Sequence, residues 1–331
     1  MKLIISGCAG YIGATFTYEA LKKGYSVIGI DNLSNSNLNN INKIKKIHRN
    51  NFTFLNENIS NINSLASKIE KNNPIDAAIH FAALKNVSDS QKQPKKYYEN
   101  NVIGTQNFIK LAKIKNIKKF IFSSSAAVYG EQEIQPLTED HIPCPKSVYA
   151  ETKLECEKII QENADKGFFK AISLRYFNPI AAHKDLIITE DFGASETIIS
   201  EIIKVALGKK ESLEIFGNDY DTKDGTCERD FIHMQDLING HISALEMIDN
   251  VSSHCVLNLG TGKSTSILSL IEKFKRLTNV SLKFNFSKKR QGDISKNFAD
   301  VVKVKKFLSW QSRYNLEDMC IDSWKAVQNE N

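Results

Sequence analysis

Tyr149 and Lys153 stand four residues apart in Tyr149-Ala150-Glu151-Thr152-Lys153. On a helix this spacing puts both side chains on one face, one turn apart. A phenol beside an ammonium is a candidate acid–base pair. A free tyrosine, with a pKa of about 10, is a poor base at neutral pH. A neighbouring positive charge favours the phenolate and lowers that value. Taken alone, the same spacing also describes a surface Tyr and Lys on any helix. The preceding apolar run ends in Ser123-Ser124-Ser125. A hydroxyl there could hold a substrate oxygen within reach of the phenol.

A second signature stands at the N-terminus. Gly7-Cys8-Ala9-Gly10-Tyr11-Ile12-Gly13 has the spacing GxxGxxG and follows the apolar run Lys2–Ser6. Glycines at such positions permit a tight turn, close approach of a pyrophosphate and close helix–strand packing. The helix that follows would offer free N–H groups and partial positive charge to the anion. Asp31 ends the second apolar run, 18 residues after Gly13. An acid there accepts from adenosine ribose hydroxyls and repels a 2′-phosphate, which favours NAD over NADP. The competing reading of Asp31 is a solvated acid at a strand end.

The elements around these residues alternate. Strands are expected at Lys2–Ser6, Ser26–Ile30, Phe52–Leu55, Ala77–Phe81, Phe120–Phe122 and Ala171–Leu174. Helices are expected at Ile12–Lys23, Ser64–Lys71, Tyr97–Lys115 and Tyr149–Glu162. Such alternation implies an α/β fold, a doubly wound parallel sheet of Rossmann type with helices on both faces. After residue 176 the rhythm loosens. Asp185–Gly193 and Gly217–Glu228 read as loops, and shorter elements recur at Ile198–Leu207, Asp236–Ile248, Val256–Leu259, Ile267–Leu277 and Leu282–Phe284. The expected organisation is a dinucleotide-binding domain over 1–176. A smaller C-terminal lobe over 177–331 would bind substrate, with residues about 230–260 returning to the first domain.

Composition narrows the function classes. The chain has 331 residues, with 44 Lys and Arg against 38 Asp and Glu, a formal charge of +6. The lysines are dispersed apart from short clusters such as Lys43–Lys46 and Lys288–Arg290, so a solvated surface is expected rather than a nucleic-acid site. Six cysteines form no CxxC pair, which argues against a structural metal or disulfide framework and fits a reducing cytoplasm. No apolar run reaches the roughly 18 residues of a membrane span. No metal, membrane or nucleic-acid partner is expected.

The ordered motifs resemble the extended short-chain dehydrogenase/reductase family and, more narrowly, the UDP-glucose 4-epimerases. The likeness is carried by GCAGYIG at Gly7–Gly13, DNLSNS at Asp31–Ser36, HFAALKNVSDS at His80–Ser90, YYENNVIGT at Tyr97–Thr105 and FSSSAAVYG at Phe122–Gly130. LRYFNP at Leu174–Pro179, IFGNDYDTKDGTCERDFIH at Ile215–His233, NLGTG at Asn258–Gly262 and RQGD at Arg290–Asp293 extend it nearly end to end. The resemblance implies reversible inversion at C4 of a UDP-sugar through a transient 4-keto sugar, with NAD bound throughout. Tyr149 would remove the hydroxyl proton, Ser125 would hold the same oxygen, and Lys153 would hold the nicotinamide ribose.

Further roles follow from the resemblance alone. Cofactor contacts fall on Gly7, Gly10, Tyr11, Ile12, Gly13, Asp31, Asn32, Asn35, Asn58, Ile59, Phe81, Ala82, Ala83, Lys85, Asn100, Ser123, Tyr149, Lys153 and Tyr176. Substrate contacts fall on Lys85, Ser125, Tyr149, Asn178, Phe216, Arg229, Arg290, Asp293 and Asn297. Phe216 would pack near uracil, the two arginines would meet the diphosphate, and Asp293 would accept from the uridine ribose. Without the resemblance, each arginine also reads as a surface ion pair. A homodimer through helices Tyr97–Lys115 and Tyr149–Glu162 is implied. Departures from the family pattern are Asn58 for Asp, Ala181 for Gly, Phe231 for Tyr, and a segment Ser195-Glu196-Thr197-Ile198 that matches poorly. Asn297 occupies a position where side-chain size governs a bulky C2 substituent, so N-acetylated UDP-sugars are an alternative substrate. UDP-pentose or uronate epimerisation, a sugar-nucleotide dehydratase and a silent NAD-binding sensor are the other readings. The dehydratase pattern needs Asp-Glu after the active hydroxyl, where this chain has Ala126-Ala127.

Overall fold

The computed structural model describes residues 1–69, 74–193, 195–290 and 293–328. Seven strands form the central sheet: β1 (Lys2–Ser6), β2 (Ser26–Asp31), β3 (Phe52–Asn56), β4 (Ala77–His80), β5 (Lys119–Ser123), β6 (Lys170–Tyr176) and β7 (His254–Leu259). Their order is β7-β6-β5-β4-β1-β2-β3, and every pairing is parallel. The inner strands β1, β2, β4, β5 and β6 are short apolar runs buried along nearly their whole length, as a sheet covered on both faces requires. The winding reverses between β1 and β4. Ligands bind at such a switch point, outside the carboxyl ends of the strands.

One apolar cluster packs helices Tyr11–Lys22 and Met234–Met247 on one face of the sheet. A second packs Gly104–Ile114 and Val148–Asp165 on the other. A third fills the region built by Ile198–Ala206, Ile267–Thr278 and Leu316–Gln328. The chain re-enters the sheet after residue 177: β7 pairs with β6 from His254↔Ala171 to Leu259↔Tyr176. Among the described residues no helix is long and apolar enough to cross a membrane.

Three expected elements differ. The helix expected over 97–115 is three pieces, Pro94–Tyr97, a wide π-turn at Tyr98–Ile103, and Gly104–Ile114. Insertions of this kind re-aim side chains at functional sites, and Asn100 and Asn101 lie in it. The strand expected at Leu282–Phe284 lies at Phe284–Ser287 instead, where pairing with Leu213–Phe216 sets its register. The helix expected over 64–71 is Ile62–Lys68, and its expected last residue, Lys71, lies outside the described residues. The helices Val302–Leu308 and Leu316–Gln328 carried no sequence expectation.

Candidate active site

The glycine loop forms at the end of β1. Gly7 has φ +74°, and a Cβ on it would lie 2.5 Å from the Ala82 nitrogen. A Cβ on Gly13 would lie 2.0 Å from the Gly7 carbonyl oxygen. Gly10 is different: its nearest neighbour is that same carbonyl at 3.6 Å, an ordinary contact. Helix Tyr11–Lys22 starts at Gly10 with no side-chain cap and no acid in its first turn. Its terminal N–H groups are therefore available to an anion. This cradle fits a dinucleotide pyrophosphate.

Asp31 closes the loop from behind. Its carboxylate accepts from the Ala9 N–H at 3.0 Å, and from the Leu33 N–H and Ser36 hydroxyl at 2.9 Å each. A carboxylate has about four acceptor sites, so ribose hydroxyls can still be met. Asn32 and Asn35 are exposed beside it, and the Asn32 side chain accepts from the Ser34 N–H. Asn58 is exposed and its oxygen closes a turn onto the Ser60 N–H, while Ile59 is half-buried against Gly104. Tyr11 donates to the Ala181 carbonyl at 2.9 Å. Ala181 itself has φ +75°, a left-handed conformation that explains why glycine suits this position.

The reacting groups meet at the carboxyl ends of β4, β5 and β6. Ser147 caps helix Val148–Asp165 by accepting from the Ala150 N–H. That start places Tyr149 in the first turn and Lys153 one turn on. Ser125 caps the short turn Ala126–Tyr129, and its hydroxyl, near the Tyr149 phenol, favours the phenolate. Lys153 is 3% exposed and donates to the Ser123 carbonyl at 2.7 Å, with its ammonium 4.8 Å from the Phe122 ring centre. Burial pushes Lys153 down to about 8, opposed by Cys156 and Glu157. Phe81 packs on Phe16 and His241, and Tyr176 also packs on His241. Ala82 and Ala83 are half-buried in the same turn, whereas Lys85 is exposed.

The immediate surroundings of the Tyr149 phenol work against its ionisation. Burial comes first and holds the phenol well above its ordinary value, reinforced by Tyr176 and opposed by the Ser125 hydrogen bond. A positive charge beside the phenol works against the effect of burial.

A second constellation gathers residues far apart in sequence. The Arg290 guanidinium stacks 4.3 Å from the Phe216 ring centre and donates to Asp293 at 2.9 Å. Arg229 reaches Asp293 at 4.0 Å and donates to the carbonyls of Glu228 and Ile294. Gln291 and Gly292, between Arg290 and Asp293, lie outside the described residues. Asn297 pairs in register with Arg229, is 7% exposed, and has a buried side-chain oxygen without a partner among the described residues. Asn178 is exposed and its N–H donates to the Asp230 carbonyl, next to Arg229. The segment at 195–198 is a helix start: Thr197 accepts from the Ser200 N–H and Ser195 donates to Glu190.

Four buried polar residues with no sequence assignment support these groups. Asn101 accepts from the Leu84 N–H and donates to the Leu84 carbonyl and Thr152, tying the Phe81–Leu84 turn to the Tyr149 helix. Asp230 accepts from Thr261 N–H and hydroxyl, Gly262 N–H and Ala299 N–H at 2.6–3.1 Å. Glu157 and Arg175 form a buried two-point ion pair at 3.0 and 2.7 Å. Only Glu157 carried a local signal, being four residues beyond Lys153 on one helix face.

The model of the family described as GDP-mannose 4,6 dehydratase matches residues 4–323. The chain is 40% identical to the UDP-glucose 4-epimerase of Bacillus subtilis (strain 168) over 98% of its length and 96% of that protein. It superposes with TM-score 0.95 on the UDP-glucose-4-epimerase of Stenotrophomonas maltophila with bound NAD and formylated UDP-arabinopyranose, at 36% identity, covering 100% of this chain and 98% of that one. The Bifidobacterium longum UDP-glucose 4-epimerase in complex with NAD+ and UDP gives TM-score 0.92 at 34% identity, covering 100% and 99%. With its parallel sheet, glycine cradle and Ser–Tyr–Lys cluster, the chain belongs to the UDP-glucose 4-epimerase family.

Proposed function

We propose that this protein interconverts UDP-glucose and UDP-galactose by inverting C4 through a transient 4-keto sugar, with NAD retained. The observation that carries this reading is the Ser125–Tyr149–Lys153 cluster at the ends of β5 and β6, within the same fold as the Phe216–Arg229–Arg290–Asp293 constellation. The glycine cradle at Gly7, Gly10 and Gly13, with Tyr11, Ile12 and Asp31, would hold the dinucleotide phosphates and adenosine ribose. NAD, when bound, supplies a hydride acceptor and donor and a cationic ring beside the phenol. Tyr149 takes the C4 hydroxyl proton and later returns it. Ser125 fixes the reacting oxygen, which is held by a positioned hydroxyl rather than by mobile water. Lys153 would hold a ribose and place its positive charge beside the phenol.

Arg229 and Arg290 suit the diphosphate, because planar guanidinium donors match phosphate oxygens. Anchoring there lets the sugar present either face without leaving, since remote binding energy retains it. Ala126-Ala127 after Ser125 supply no acid or base for a dehydration, which favours epimerisation. The test is incubation with UDP-galactose and a coupled assay for UDP-glucose. Absence of conversion by folded, NAD-loaded protein would favour the sensor reading.

A second reading concerns the sugar. Asn297 is buried and smaller than tyrosine, and this favours acceptance of N-acetylated UDP-sugars as well. Robust UDP-glucose turnover with none of UDP-N-acetylglucosamine would sink it. Two further inferences accompany the function. Exposed Val87, Tyr98 and Ile103 near the helices Pro94–Ile114 and Val148–Asp165 support a homodimer through that face, which light scattering tests. All six cysteines are free thiols, which supports a cytoplasmic location.

A further inference from the structure

Ser124 lies between two residues already placed in the site, yet faces away from it. It is fully buried, and its hydroxyl donates to Glu157 Oε1 at 2.5 Å. Its N–H donates to the Leu174 carbonyl at 2.9 Å. Glu157 in turn receives Arg175 Nε at 3.0 Å and Nη2 at 2.7 Å, both side chains being about 5% exposed. The Arg175 guanidinium rests 4.8 Å from the Tyr129 ring centre, and the Tyr129 hydroxyl donates to Asn258 at 2.7 Å. Ser124, Glu157 and Arg175 are each covalently next to, or one helical turn from, a residue placed in the site. Ser124 separates Ser123, the Lys153 acceptor, from Ser125. Glu157 is one turn past Lys153 and two past Tyr149. Arg175 precedes Tyr176.

Stability alone gives weak grounds for such a pair. Replacing a buried ion pair with apolar residues of similar volume is often neutral or stabilising, because desolvation offsets the attraction. What a two-point, fully hydrogen-bonded pair supplies instead is fixed geometry. Here it ties three elements, β5, β6 and the Tyr149 helix, at the point where their side chains must converge.

We propose that Ser124, clamped by the buried Glu157–Arg175 pair, is a positioning residue that sets the Ser125 hydroxyl against the Tyr149 phenol and so governs the chemical step rather than substrate binding. The claim rests on the epimerase reading for its turnover assay. Loss of the clamp frees the Ser123–Ser125 turn, and a displacement of about 1 Å at a reacting group costs on the order of 10²-fold in rate.

The test compares wild type with Ser124→Ala, which leaves Glu157 and Arg175 paired. Ser124→Ala is expected to lower kcat for UDP-galactose by about 10- to 100-fold, with KM and bound NAD content unchanged within about twofold. Single-turnover reduction of the bound nicotinamide slows by the same factor. Glu157→Gln keeps the shape and an acceptor oxygen for Ser124, and its kcat falls between the two; it decides the matter if Ser124→Ala does not fold. A kcat within twofold of wild type per folded molecule overturns the proposal. So does a loss that appears in KM alone or follows the folded fraction. If wild type turns over no UDP-sugar, the epimerase reading fails and a second measurement decides the positioning claim. That is the crystal structure of Ser124→Ala beside wild type, read for the separation of the Ser125 hydroxyl and the Tyr149 phenol. A separation that changes supports it, and one that does not change overturns it.

Discussion

Replacing Gly13 by alanine sets local preference against tertiary contact. Gly13 is the third residue of helix Tyr11–Lys22, where alanine is favoured by about 1 kcal/mol over glycine. The added methyl, however, would sit 2.0 Å from the Gly7 carbonyl oxygen and 2.9 Å from its carbon. That is about 1.5 Å inside an ordinary contact, and both atoms met are backbone, so no side chain can swing aside. Either the helix start or the Gly7 turn must move, and the helix start carries the uncapped N–H groups proposed to meet the cofactor phosphates. Each misplaced charge-assisted hydrogen bond costs about 1.5–3 kcal/mol. Loss of one or two lowers NAD affinity by roughly 10- to 10⁴-fold. Gly10→Ala is the control. Gly10 has φ −65° and the nearest atom to an added Cβ is 3.6 Å away. Its fold should therefore be unharmed or slightly stabilised, and any lost affinity reports the methyl on the ligand side. Calorimetric titration of cofactor-stripped protein with NAD, alongside thermal melts, measures both. Gly13→Ala binding NAD as tightly as wild type would refute the reasoning, as would Gly10→Ala melting lower than Gly13→Ala.

Two other perturbations test the supports. Burial holds Lys153 at about 8 in the folded protein, below its ordinary 10.5. The unfolded chain binds the extra proton between those values, so the stability contributed at Lys153 rises with pH across that window. In cofactor-free protein, wild type should gain on the order of 3 kcal/mol relative to Lys153→Met between pH 7 and pH 10.5, read by urea unfolding; a constant difference would contradict this. Asp230→Asn exchanges an acceptor for an amide donor facing the Thr261, Gly262 and Ala299 N–H groups. It should lose about 2–4 kcal/mol of stability and raise KM for UDP-sugar more than it lowers kcat, because Asp230 adjoins Arg229. An unchanged melt and KM would remove Asp230 from that role.

The parts legible in the sequence are those whose partners are near in the chain. Gly7–Gly13, the strand alternation up to β6 and the Tyr149–Lys153 pair are all local patterns. They predict a doubly wound sheet and a helix face that the structure contains. The opposing effect of burial on Tyr149 was not legible, because desolvation depends on what packs around the phenol. Asp230 shows the same limit. Its four donors come from residues 261, 262 and 299, a separation over which composition and periodicity carry no signal. Arg175 and Glu157 are 18 positions apart on different elements. The gathering of Phe216, Arg229, Arg290 and Asp293 was reachable only through family resemblance, since each residue alone also reads as a surface group. The π-turn at Tyr98–Ile103 was missed because an inserted residue leaves the helical pattern nearly intact.

The measurement that bears most directly on the account is conversion of UDP-galactose to UDP-glucose by purified wild type and Tyr149→Phe, with NAD quantified after denaturation. The account predicts reversible conversion by wild type, with NAD retained and no accumulation of oxidised sugar. It also predicts that Tyr149→Phe keeps its NAD and its fold while turnover falls by about 10²- to 10⁴-fold. A Tyr149→Phe protein that keeps most of its turnover, or a folded wild type that holds NAD and converts nothing, would contradict it.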